Sequence, residues 1–213
     1  MRFVNAVGMS LMLAMATTAG ALADNHDAND KGEGKSGRVP ETLGYVEWVV
    51  MQDTGLRLKS RLDTGAKTSS LHAVNVEPFN KGEEEWVSFQ IPLGDHEDQP
   101  TEGTVDHEDV ILEFERPITR TVLIKRKGAP SQRRYVVMME FCIAGTRHET
   151  QFSLADRGKF SYPVLLGRRF MRDDGILIDS ADSFLAEREC EHMTLEDLVE
   201  EHEDQVVEEE EAS

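Results

Sequence analysis

What most constrains this chain is the brevity of its apolar runs. Between residues 45 and 178 they are short, rich in β-branched and aromatic residues, and broken by Gly, Pro, Asn or Asp. They fall at residues 45–51, 56–62, 86–92, 110–114, 121–125, 135–143, 149–154, 163–166 and 176–178. Runs of this length make strands rather than core helices, and the turn residues between them reverse the chain. The pattern predicts an all-β barrel or sandwich. Only residues 168–172 read as a brief helix within it.

The 213 residues, 39% of them hydrophobic, suit one domain with appendages. Residues 1–23 read as a signal peptide: Arg2 is followed by an apolar stretch at 9–16, and Ala21-Leu22-Ala23 offers small residues before a cut at Asp24. A periplasmic or secreted location follows. Residues 24–43 read as a flexible linker, 44–186 as the folded domain and 187–213 as an acidic tail. Thr194-Leu195-Glu196-Asp197 resembles a helix N-terminal cap, and four consecutive Glu stand at 208–211. A net charge of -18 argues against nucleic acid or an anionic membrane surface as partner. Export leaves Cys142 and Cys190 free to pair, but they also read as a buried strand thiol and an unrelated tail thiol.

Chemistry concentrates at Asp63-Thr64-Gly65-Ala66, which follows an alternating strand, Leu56 to Leu62. The strand delivers a carboxylate to a tight turn in which glycine permits close folding. Aspartate-driven peptide hydrolysis needs two adjacent carboxylates that share one proton. The charged member activates water and the protonated member polarises the scissile carbonyl. The neighbouring Thr is suited to hydrogen-bond the structure beneath. An isolated Asp-Thr-Gly also serves merely to cap a turn. A second element stands about a hundred residues later: Leu165-Leu166-Gly167-Arg168, leading into the short helix.

Charge is uneven. Residues 82–115 contain acids but no Lys or Arg, whereas residues 116–139 contain Arg116, Arg120, Lys125, Arg126, Lys127, Arg133 and Arg134 but no acid. Either this block pairs with the acidic segment before it or it greets an acidic substrate. Asp95-His96-Glu97-Asp98 recurs as Asp106-His107-Glu108-Asp109. A solvated acidic loop explains the repeat better than a metal site, because adjacent ligands in one loop are poorly preorganised. No His-Glu-x-x-His and no phosphate-binding Gly-x-x-x-x-Gly-Lys loop is present. No metal and no other cofactor is expected.

Tyr45-Val46-Glu47-Trp48-Val49, Arg61 through Ala73, Val164 through Arg168, and Leu177-Ile178-Asp179 together resemble the bacterial retropepsin-like aspartic endopeptidases, often labelled putative ATP-dependent zinc proteases. The resemblance covers about residues 44–186. It implies a small closed β-barrel, a single retropepsin-like lobe, with Asp63 catalytic and Thr64 and Gly65 completing its loop. It further implies cleavage of peptide bonds, in some members next to glutamate. Ala66, Arg126, Arg133 and Arg134 become substrate-contact candidates, with the basic block placed where such lobes carry a flap. His72 fits the pattern as a hydrogen-bonding or packing residue. One Asp-Thr-Gly means one carboxylate per chain. A homodimer pairing two Asp63 side chains is the simple solution, and Asp179 is an intramolecular alternative. A barrel that binds peptides without cutting them is the competing reading.

Overall fold

The computed structural model describes residues 40–96, 110–126 and 128–197. The expected signal peptide, most of the expected linker, residues 97–109, Lys127 and the tail beyond Asp197 lie outside the described residues.

The largest sheet contains β2 (Val46–Met51), β3 (Arg57–Asp63), β4 (Ser69–His72), β8 (Arg120–Arg126), β9 (Ala129–Ile143), β10 (Thr146–Ala155) and β11 (Val164–Gly167). Its order is β10-β4-β11-β3-β2-β9-β8, and an added β10–β9 pairing closes six of these strands into a ring. Closure removes the unpaired edges that an open sheet would leave. The expected all-β, ring-closed lobe therefore forms. Two smaller sheets accompany it. β5 (Val74–Lys81), β6 (Glu84–Pro92) and β7 (Ile111–Pro117) form an antiparallel sheet, and β1 (Glu41–Gly44) pairs in parallel with β12 (Ile176–Asp179). Glu41 to Leu43, read from sequence as the end of the linker, are thus part of a strand.

Alternation along the strands explains the core. In β6, Val87, Phe89 and Ile91 are buried while their neighbours are less so. Inside the ring, Phe141 packs edge-on against Phe152 and Phe170 at centroid distances of 5.7 and 5.2 Å. Phe170 belongs to the expected short helix, α1 (Arg168–Asp174). Ala144 and Gly145 both take positive φ (50° and 68°), the conformation a two-residue turn between right-twisted strands demands.

The first part of the tail is fastened to the lobe. Cys142 and Cys190 form a disulfide with Cα atoms 6.0 Å apart. This corrects the reading of two separate thiols. Met193 bridges to Leu56, and Leu195 is buried. Thr194 and Asp197 cap each other as the sequence suggested: Asp197 N–H donates to Thr194 Oγ1, and Thr194 N–H donates to Asp197 Oδ2. The Thr194 N–H and then the Thr194 hydroxyl, both donating to Asp197 Oδ2, hold the Asp197 carboxyl below its usual range.

Candidate active site

β3 buries Leu58, Ser60 and Leu62 on one face, leaving Asp63 at its end with a side chain 30% exposed. Asp63 Oδ1 accepts the Gly65 N–H at 2.8 Å, and its carbonyl accepts the Ala66 N–H at 3.2 Å. This Asx turn orients the carboxylate without burying it. Arg61 Nε lies 3.9 Å from Asp63 Oδ2.

β11 runs parallel to β3 and places Gly167 beside Asp63, with Leu166 beside Leu62. The two motifs a hundred residues apart in sequence therefore meet as neighbouring strand ends. Gly167 N–H donates to Ser69 Oγ at 3.1 Å. Arg168 N–H donates to the Ala66 carbonyl at 2.9 Å, and Arg168 Nη1 donates to the Thr64 and Gly65 carbonyls at 3.3 Å each. Thr64 itself is exposed. Ser69 and Arg168, rather than Thr64, supply the side-chain bonds that tie this turn to the strands around it.

Behind the turn sits Arg157, which sequence reasoning missed. It is 7% exposed, and its guanidinium donates to the Tyr162 carbonyl at 3.1 Å and to Ser70 Oγ at 2.9 Å. Burial lowers its pKa to about 10, helped by the charge of Arg134 and opposed by that of Asp63, so it stays cationic at neutral pH. Arg157 thus lies within electrostatic reach of Asp63, Arg61 and Arg134. Nothing in Ala155-Asp156-Arg157-Gly158 distinguishes it from an ordinary turn in the sequence.

His72 is fully buried and structural in its bonding. Its Nδ1 accepts the Arg157 backbone N–H at 2.8 Å, which makes Nε2 the donor to Asp95 Oδ2, also at 2.8 Å. His96 packs edge-on against it, 4.8 Å between centroids. His96 is 3% exposed, and neither ring nitrogen finds a partner among the described residues. Burial, then the neighbouring His72, pushes its pKa down to about 4.

The other predicted residues are spread around this centre. Ala66 closes the turn. Arg133 and Arg134 lie in β9 opposite Leu123 and Val122, and line a recess with Asn75 and Asp156. From Arg120 onward the basic block lies in the β8–β9 hairpin, while Arg116 belongs to β7, and the Arg126 side chain lies outside the described residues. Arg116 pairs with Asp53 and donates to the Glu115 carbonyl at 2.7 Å, and Arg120 donates to Gln151 at 2.9 Å. Asp179 accepts the Ala181 N–H at 2.8 Å within its own turn. The acidic repeats fall largely in 97–109, outside the described residues. Among the described residues no group of three or more potential ligands is arranged to hold a metal.

The chain is 33% identical over 143 residues to a probable alpha-L-glutamate ligase of Shewanella pealeana, a match covering 67% of this chain and 29% of that protein. It is 33% identical over 141 residues to a protein of the same name from Desulfotalea psychrophila, covering 65% and 28%. The chain therefore spans less than a third of the curated relatives it matches. The crystal structure of Lpg0085 from Legionella pneumophila, a protein of unknown function, matches with a TM-score of 0.55 and 28% identity, covering 69% of this chain and 98% of that one. A family model described as the retropepsin-like aspartic endopeptidase RimB matches residues 42–189, which contain both the Asp63 turn and the strand beside it. The chain belongs to the RimB-like family of retropepsin-like aspartic endopeptidases.

Proposed function

We propose that this protein hydrolyses peptide bonds, with Asp63 as one half of a two-carboxylate centre. The observation that carries the reading is the Asp63 carboxylate: partly exposed, oriented by the Gly65 N–H and flanked by β11. Among the described residues its bonded partners are Gly65 and Arg61, not a second carboxylate. A second copy of the chain supplies the missing acid, so that two Asp63 side chains share one proton. The ionised one removes a proton from water as the oxygen attacks the scissile carbonyl. The protonated one hydrogen-bonds the carbonyl oxygen, and a proton then passes to the leaving amine.

An acidic, glutamate-containing substrate fits the surroundings. Arg61 and Arg168 contact the turn, and Arg157 lies within electrostatic reach of Asp63 and of Arg134, in a chain of net charge -18. The relatives named as probable alpha-L-glutamate ligases, matched over 143 residues, are in keeping with glutamate as the recognised residue. The disulfide supports an oxidising, exported location in line with the leader reading.

Incubating wild-type and Asp63→Asn protein with a diverse peptide library tests the reading. Wild type yields products with glutamate at the cleaved bond, and Asp63→Asn yields none while its thermal midpoint stays nearly unchanged. Hydrolysis retained by the variant overturns it. The same lone carboxylate favours a second reading, a lobe that binds acidic peptides without cutting them. Binding without products, from a strictly monomeric protein, is its signature.

A further inference from the structure

On the outer side of the Asp63 turn lies a recess lined by Lys67, Arg168, Arg169 and Arg172, all cations. Of these, Arg172 alone has a described ion pair, with Asp173 at 2.7 Å. Arg168 is fixed by its bonds to the Thr64 and Gly65 carbonyls, which tie this recess to the Asp63 turn. Asp173 answers Arg172, which leaves Lys67, Arg168 and Arg169 close together without a described acidic partner, a set of like charges that favours a bound anion. In a chain with 41 acidic and 23 basic residues, such a recess calls for a specific counter-charge.

The chain carries a suitable one. Residues 198–213 contain Glu200, Glu201, Glu203, Asp204 and the four Glu at 208–211, with no Lys or Arg. The family match ends at residue 189, so this segment lies outside it. Its root is fixed: Met193 bridges to Leu56 at the start of β3, and Leu195 is buried. From Leu56 to Asp63 along the strand is about 23 Å at 3.3 Å per residue. The sixteen residues 198–213 reach up to about 55 Å when extended.

We propose that the acidic C-terminal segment, through its glutamates at 208–211, docks in cis on the Lys67/Arg168/Arg169/Arg172 recess and competes there with acidic peptides approaching Asp63. The proposal rests on the acidic-peptide reading for its consequence, but docking itself is independent of hydrolysis. A tethered segment acts at an effective concentration on the order of 1 mM. With a docking affinity near 0.1 mM, it raises the apparent Kd of a competing peptide about tenfold. The attraction is between exposed charges, so salt weakens it.

Carbodiimide cross-linking of the full chain, which condenses touching amines and carboxylates into amides, reads docking directly. The expected product is an intramolecular link between Lys67 and the peptide containing residues 208–211, lost in 0.5 M NaCl and reduced in Arg169→Glu. Mixing isotopically labelled and unlabelled protein separates links within a chain from links between copies. Links to Lys59, Lys125 or Lys159 in place of Lys67, or links only between copies, overturn the proposal. In a second measurement, fluorescent hexaglutamate binds full-length Asp63→Asn protein about tenfold more tightly once Glu208, Glu209, Glu210 and Glu211 are all changed to Gln. An unchanged affinity also overturns it. Both readouts hold whether or not any peptide is cleaved, so they fail separately from the peptidase reading.

Discussion

Gly167 lies directly across the parallel β3–β11 pairing from Asp63, with its Cα pressed against the backbone of Thr68. A Cβ built on Gly167 would sit 2.5 Å from the Thr68 carbonyl carbon and 2.7 Å from its oxygen. Backbone atoms bonded into the turn cannot rotate aside as a side chain would. The glycine is therefore required for close approach, and it sets how near β11 comes to the carboxylate.

Gly167→Ala is expected to destabilise the fold by about 1–3 kcal/mol, the range for forcing an extra carbon into a packed site. For a domain of this size that lowers the melting midpoint by roughly 2–4 °C per kcal/mol. Calorimetry or chemical denaturation measures it. Because the displaced atoms belong to the Asp63 turn, peptide hydrolysis should fall more steeply than stability.

Arg157 makes a second case, in which the fork of the guanidinium matters as well as its charge. Arg157→Lys keeps a cation but cannot serve the Tyr162 carbonyl and Ser70 Oγ together in the same geometry. A loss of about 1–3 kcal/mol follows from leaving a buried acceptor unmatched. Denaturant midpoints of the wild type and Arg157→Lys provide the check, and equal midpoints refute it.

The Cys142–Cys190 bridge closes a loop of sequence separation 48 and pins the segment before Met193 to the end of β9. Chain-entropy reasoning gives about 4 kcal/mol for a loop this long. The Cys142→Ser, Cys190→Ser double variant should unfold at correspondingly lower denaturant, and reductant should bring the wild type down to the same midpoint. Glu47 assists from the other side: buried, it accepts the Gly44 and Leu185 N–H groups at 2.7 Å each. A segment held at two points explains why loss of the bridge alone should not release it entirely.

What the sequence revealed and what it hid divide along the distance over which polar groups are satisfied. The ring strands with apolar alternation were legible, as was α1, because burial is written locally into their residues. β4 was not, because Ser69-Ser70-Leu71-His72 reads as a polar loop although all four are buried. Its polar atoms meet Gly167, Arg157 and Asp95, partners 98, 87 and 23 residues away in sequence. Arg157 was invisible for the same reason. The Asp63 turn and the Leu165-Leu166-Gly167-Arg168 strand end were legible as a pair because each is a compact motif whose glycine has a local purpose. Their cationic setting was only partly so: Arg57, Lys59 and Arg61 stand together before the turn, but Arg157 comes from a segment with no marked basic character.

The last prediction concerns acid. His96 has a pKa of about 4 in the fold against 6.5 in the unfolded chain, because its ring is desolvated beside His72. The groups facing it are His72 from β4, Asp95 from the preceding turn and Arg157 beyond β10; of these Asp95 favours the charged form and the other two oppose it. Since the folded pKa is depressed, the unfolded chain binds a proton that the folded one refuses once pH drops below 6.5. The contribution to stability is therefore complete above pH 6.5 and is lost progressively as pH falls to about 4, where the folded state also protonates. A shift of this size corresponds to a few kcal/mol at roughly 1.4 kcal/mol per pKa unit. Replacing His96 by Phe keeps an aromatic edge against His72 and removes the titrating group. Unfolding free energies measured from pH 7 to pH 4 should fall less steeply for His96→Phe than for the wild type. Parallel curves would show that acid sensitivity resides elsewhere, and the buried imidazole pair would then be a packing feature without a titration consequence.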